Sequence, residues 1–181
     1  MILALYDHLD GVQTESGNHV VYDLARGEAH FGAAQVESHA LRWELAGAEL
    51  EPGSRLAAEV ELDRGREWVV RCDRIDFPLG GVARLHTHPG PGIRYLLRGE
   101  LEVEVEGRTS FYGAGGAWFE AGPDPVVARA SSHIGTSFVR ALVLPAEWAG
   151  KRTIRYLDPP DAAEVPQKAT ILLEHAIALP R

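Results

Sequence analysis

Gly80-Gly81-Val82-Ala83-Arg84-Leu85-His86-Thr87-His88-Pro89-Gly90 reads as a strand that leaves a Gly-Gly turn and stops at Pro89-Gly90-Pro91-Gly92. On extended backbone His86 and His88, at i and i+2, point to the same face, roughly 6–7 Å apart along the chain. That spacing lets both imidazoles reach one ion, and neutral imidazole is the commonest ligand of divalent transition metals. The pair lies near a strand end, where ligand sites in β-barrels open. Any half-buried strand can carry two polar residues on one side, so the motif takes its weight from its surroundings.

Outward from this stretch the rhythm is of short strands punctuated by glycine and proline. Upstream, His39–Leu45 and Leu56–Leu62 alternate loosely, and Trp68–Phe77 reads as a longer strand. Downstream, Ile93–Leu97 is followed by a turn at Arg98-Gly99-Glu100. Leu101–Val105 alternates with period two, its glutamates reading as a solvent face. Trp118–Glu120, Val126–Ala130 and Ser137–Leu144 complete the series before Pro145. Strands at this spacing, roughly 8–12 residues, predict an all-β sandwich or barrel. One helical turn is expected within 24–36. Thr170–Leu179 reads as a returning strand or a short helix, after breaks at Pro159-Pro160 and Pro166.

Composition narrows the function classes. The chain has 181 residues, 45% hydrophobic and 24% charged, the proportions of a soluble globular protein with room for one core and extensions. The net charge of −8 and the absence of a Lys/Arg cluster argue against nucleic acid as a partner. The lone cysteine, Cys72, excludes an intramolecular disulfide and a cysteine-rich zinc site, and reads as a small buried hydrophobe. The apolar start is short and lacks a basic flank, so no signal peptide is expected. Nothing approaches the ~18 apolar residues of a membrane span. A cytoplasmic protein without membrane or nucleic-acid partners is expected.

The stretch Gly80–Gly99 resembles the first motif of the cupins, small jelly-roll barrels. In that pattern a glycine precedes His-x-His by several residues, and a glutamate and a closing glycine follow. Gly80, His86, His88 and Gly99 stand at the matching places, and Tyr95–Leu101 is similar to the run that follows in cupins. Gly92 occupies the glutamate position. Trp118–Pro125 resembles the second motif in rhythm, but residues 125–127 contain no histidine. The resemblance covers residues 68–145. It implies a cupin-like jelly-roll (double-stranded β-helix) barrel there, with 1–67 as an N-terminal arm adding strands and 146–181 as a C-terminal extension packing back on it. The arms' apolar runs and Trp43, with the habit of such barrels to pair, imply a homodimer.

The resemblance also implies a metal site: His86 and His88 as ligands of a divalent ion (iron, manganese, zinc or nickel), with two of the family's four ligands matched. Two imidazoles hold such an ion weakly without further donors. Glu120 and Asp124, near the absent histidine, and His133, in a turn, are the candidate additional ligands; each also reads as an ordinary surface residue. Strict alternation puts Arg84 on the face of His86, and the parity of Gly92 puts Arg94 there too. Either the two arginines line a cationic pocket suited to a carboxylate or phosphate, or they reach solvent from strand ends. Glycine at 92 is expected to leave space for substrate or water.

Three function classes follow. The first is a metal-dependent enzyme, dioxygenase- or isomerase-like, acting on a small organic acid or aromatic substrate. The second is a non-catalytic small-molecule-binding or sensor barrel. The third is a metal-free epimerase or isomerase using histidine as general base. All three take a small, anionic molecule as partner.

Overall fold

The computed structural model describes residues 1–157 and 167–180; Pro159, Pro160 and Pro166, the expected breaks, lie outside the described residues. Residues 1–67 form β1 (Ile2–His8), β2 (Val12–Thr14), β3 (His19–Asp23), β4 (Glu28–Phe31), β5 (Ala34–Val36), β6 (Ala40–Ala46) and β7 (Leu56–Glu59). The next stretch contributes β8 (Trp68–Phe77), β9 (Val82–Thr87), β10 (Gly92–Arg98), β11 (Glu100–Val105), β12 (Arg108–Gly113), β13 (Ala117–Glu120), β14 (Val126–Ala130) and β15 (Thr136–Pro145). A 3₁₀ turn (Ala146–Trp148), β16 (Arg155–Tyr156) and β17 (Lys168–Ile177) follow. The helical turn expected within 24–36 is a single turn after β3, closed by the Gly27 N–H donating to Asp23 O at 2.8 Å; the rest of that stretch forms β4 and β5. The ambiguous segment near the C-terminus is the strand β17.

The eight strands β8–β15 pair as nested hairpins: β8 with β15, β9 with β14, β10 with β13 and β11 with β12. Rolled up, that long antiparallel ribbon gives two facing sheets of order β13-β10-β15-β8-β17 and β12-β11-β14-β9-β16. This is the strand order of a jelly roll. The C-terminal extension closes one edge of each sheet, β17 against β8 and β16 against β9.

The N-terminal arm does otherwise than expected. It adds no strand to the barrel sheets; it makes its own sheet, β4-β3-β6-β1-β7, with a small β2-β5 ribbon. Its apolar face lies on the outer face of the barrel. Leu3, Leu5, Val20, Tyr22, Leu41 and Trp43 share one core with Val70, Cys72, Ile93, Val139, Ala141 and Val143. The reason is that the outward faces of β8, β10 and β15 are apolar. Their outward residues need a cover, and a third layer supplies it. Trp43, part of the case for a homodimer, is consumed within the chain, its indole N–H donating to Ile93 O at 3.1 Å.

The inward face of the barrel is divided. One end is filled by a second apolar cluster that includes Ile75, Phe77, Leu101, Trp118, Val126 and Phe138. Above it, inward positions of the same strands carry Asp73, Arg94 and Arg140, all buried. Among the described residues no helix is long and apolar enough to cross a membrane.

Candidate functional site: a charged ring over an apolar floor

A cavity of about 390 Å³ opens inside the barrel, walled by His86, His88, Arg94, Glu120, Asp73 and Arg140 and floored by Ile75, Phe77, Leu101, Trp118 and Phe138. The segment Gly150–Ile154 and the start of β17 form another wall. The structure thus brings together His86, His88, Arg94 and Glu120 from the sequence candidates. It does not bring Arg84, Asp124 or His133 to the cavity.

Arg84 is displaced by a β-bulge. In the β9–β14 pairing His86 faces Val126 while Ala83 faces Ala128, so β9 carries one extra residue between them. Parity shifts at that point. Ala83 lines the cavity in place of Arg84, whose carbonyl instead accepts the Nδ1–H of His86 at 2.7 Å. Asp124 is exposed in the loop after β13, and His133 is exposed in the turn between β14 and β15.

The two imidazoles meet edge-on with ring centroids 4.9 Å apart. A carbonyl only accepts, so each Nδ1 carries the proton: His86 toward Arg84 O, His88 toward Thr153 O at 3.3 Å. Each Nε2 is left with a lone pair. Burial lowers the His86 pKa. Burial, then Arg140 and Arg94, hold His88 well below the ordinary imidazole range. Both rings are neutral at physiological pH.

Gly92 is closed to any side chain. A Cβ there would stand 2.5 Å from Leu142 Cδ2 and 2.6 Å from Ala141 O, so the expected space at this position does not exist. Directly opposite Gly92 in the β10–β13 pairing is Glu120, which brings a carboxylate to the region from the neighbouring strand. Its Oε1 accepts the indole N–H of Trp118 at 2.8 Å. Its Oε2 lies 2.6 Å from Arg94 Nη2 and 3.7 Å from His88 Nε2. The contact with Arg94 is close in distance but poorly aligned, leaving both atoms without a directed hydrogen bond. Arg94 Nη1 donates to Gly92 O at 2.6 Å. Burial brings Arg94 down to about 10, still protonated at neutral pH.

Sequence reasoning missed Asp73, Arg140 and Thr153. Arg140 donates to Asp73 Oδ2 through Nε at 3.3 Å and Nη2 at 3.0 Å, and to Thr153 Oγ1 through Nη2 at 3.1 Å. Its Nη1 faces His88 Nε2 at 3.4 Å. The available signal was a charge on the inward parity of long apolar strands, Asp73 in Trp68–Phe77 and Arg140 in Ser137–Leu144. Such a charge is seldom buried without a polar partner.

These residues do not fit a divalent ion as they are arranged. Among the described residues no three histidine, cysteine or carboxylate side chains converge on a common point. The lone pair of His88 Nε2 is met by Arg140, and Glu120 Oε2 is met by Arg94. A dication there would also face two buried guanidinium groups. The expected metal centre on His86 and His88, completed by Glu120, Asp124 or His133, is therefore not assembled. Where the resemblance places a third histidine, Val126 is buried beside His86.

The rolled ribbon and its inward, strand-end site define a jelly-roll barrel, the fold that the cupin resemblance of the sequence implies. No family model matches the sequence, and no curated protein matches it. Solved structures do resemble it. An RmlC-like cupin from Shewanella frigidimarina is 22% identical over 43% of this chain and 68% of its own, with a TM-score of 0.39. The structure of KdgF from a Halomonas species is 22% identical over 55% and 86%, with a TM-score of 0.37. A salicylate 1,2-dioxygenase variant from Pseudoaminobacter salicylatoxidans, in complex with gentisate, is 9% identical over 94% and 68%, with a TM-score of 0.41. At such values the fold rests on the strand order described above.

Proposed function

We propose that the barrel binds a small organic acid with an apolar or aromatic body, without a metal ion, and that His86 serves as a proton acceptor toward it. The observation that carries this reading is the charge of the cavity. Apart from Arg71, which Glu174 pairs, its lining holds four cationic side chains (Arg94, Arg140, Lys151 and Arg152) against two anionic ones (Asp73 and Glu120), in a chain of net charge −8. Guanidinium groups recognise carboxylates through paired charge-assisted hydrogen bonds. Here they supply the positive charge that a metal ion supplies in many sites. The aromatic and aliphatic floor suits a planar apolar body, as small-molecule sites combine an apolar lining with few directed polar groups. His86, neutral and with Nδ1 engaged by a carbonyl, presents its lone pair at Nε2, which suits an isomerase- or lyase-type proton abstraction.

Two measurements test this. Elemental analysis of protein purified without an affinity tag is expected to find metal far below one equivalent per chain. Calorimetric titration with benzoate, 4-hydroxybenzoate and phenylacetate is expected to show one-to-one binding of at least one of them. Arg140→Lys, which keeps the charge and loses the fork, is expected to weaken that binding about tenfold, or 1.4 kcal/mol. Near-stoichiometric metal that disappears in a His86→Ala/His88→Ala double variant overturns the proposal in favour of a metal-dependent enzyme.

A further inference from the structure

We infer that Thr153 is a positioning residue of the ligand cavity, so that the C-terminal extension is a working wall of the site. The inference rests on the ligand-binding reading above for its affinity arm only. Thr153 is buried, although it lies outside every strand. Through two different atoms it holds two different side chains of the ring. Its Oγ1 accepts from Arg140 Nη2 at 3.1 Å, and its carbonyl accepts from His88 Nδ1 at 3.3 Å.

The first bond matters because Asp73 engages Arg140 with a single oxygen. Both Arg140 contacts fall on Oδ2, and Oδ1 has no hydrogen-bond partner. A guanidinium held at one point can rock in its own plane. Thr153 adds a second point on the Nη2 side and so fixes the direction of Nη1, the group beside His88. The second bond fixes the His88 tautomer that leaves a lone pair facing that Nη1. One residue thus sets both halves of the Arg140–His88 contact.

The segment carrying Thr153 is itself anchored rather than loose. Arg71, buried, donates to Trp148 O at 2.8 Å and to Lys151 O at 2.7 Å, and its Nε donates to Glu174 Oε2 at 2.5 Å. Glu174 Oε1 accepts the backbone N–H of Gly150 at 2.8 Å. A turn fastened at three backbone groups can hold its next residues to the precision that a fixed guanidinium requires.

The test uses Thr153→Val, which keeps the shape and removes the acceptor, Thr153→Ala as a second deletion, and Thr153→Ser as rescue. Two readouts are followed: the affinity for whichever aromatic carboxylate the wild type binds, and exchange with water of the Arg140 Nε–H proton by NMR. The valine and alanine variants are expected to bind about tenfold more weakly and to exchange that proton faster, with serine restoring both. Wild-type exchange and affinity in the folded valine and alanine variants overturn the inference. If the wild type binds no carboxylate, the proposed function fails, while Arg140 exchange still decides the role of Thr153.

Discussion

At the residue scale, the neutral imidazoles tie the site to the stability of the fold. His86 and His88 are held below an ordinary value of about 6.5, mainly by burial. Between that value and their lowered native ones, the unfolded chain binds more protons than the folded chain. Stability therefore rises with pH across that window; it is complete above about pH 6.5 and is lost as pH falls below it, by up to about 1.4 kcal/mol per pH unit for each ring. The melting temperature is expected to be flat from pH 7 to 8 and to drop between pH 6.5 and 5. In a His88→Gln variant the drop is expected to be shallower. A melting temperature that rises on acidification, followed by scanning calorimetry, contradicts the assignment of two buried neutral rings. Legibility at this scale followed distance in sequence. The histidine pair and Arg94 were readable because one local strand pattern placed them. Arg84 was misplaced because a bulge depends on the partner strand β14, which periodicity along β9 does not report. Asp73 and Arg140 meet across the β8–β15 pairing and Thr153 reaches them only when the C-terminal extension packs back, so nothing near them in sequence announces the encounter.

At the scale of elements, the C-terminal extension is tied to the barrel by one buried ion pair with a long reach. Arg71 on β8 and Glu174 on β17 sit opposite each other in the β8–β17 ladder, and together they fasten the turn at 148–151. Arg71 is nearly inaccessible, whereas Glu174 keeps 21% of its side-chain surface exposed. Removing the carboxylate leaves a buried cation without its counter-charge and the Gly150 N–H without its acceptor. Glu174→Ala is expected to cost about 2–4 kcal/mol in urea unfolding, the lower part of this range reflecting the exposure of the carboxylate. Hydrogen exchange is expected to quicken first at residues 148–154 rather than uniformly. Exchange that quickens evenly over β8–β15 would mean that the pair supports the barrel and not the turn. The strands themselves were largely visible in the sequence, because glycine and proline punctuate them and some, Leu101–Val105 above all, alternate with period two. Which strand pairs with which was visible only through the cupin resemblance, since hydrophobic periodicity carries no information about partners.

At the scale of the whole molecule, the decisive feature is that the central strands serve two faces. The inward residues of β8, β10 and β15 build the charged ring, and their outward residues lie under the N-terminal sheet. From sequence the N-terminal arm read as additional barrel strands. Its apolar residues do mark it as part of the core, but stacking on a sheet and extending it place the same residues against solvent-free surroundings, and composition cannot separate the two. The consequence is a barrel that depends on its cover. A chain beginning at Trp68 retains every jelly-roll strand and every residue of the ring, yet it exposes Val70, Cys72, Ile93, Val139, Ala141 and Val143 as one apolar surface. Each large side chain in such a layer contributes about 1.5–3 kcal/mol when fully buried, comparable in sum with the whole stability of a domain. Burial by the arm also holds these strands in the geometry that aims Asp73, Arg94 and Arg140 inward. The shortened chain is therefore expected to aggregate, or to keep far-ultraviolet strand signal while losing near-ultraviolet fine structure and carboxylate binding. Cooperative unfolding of the shortened chain with wild-type affinity would show that the ring is organised by the barrel alone.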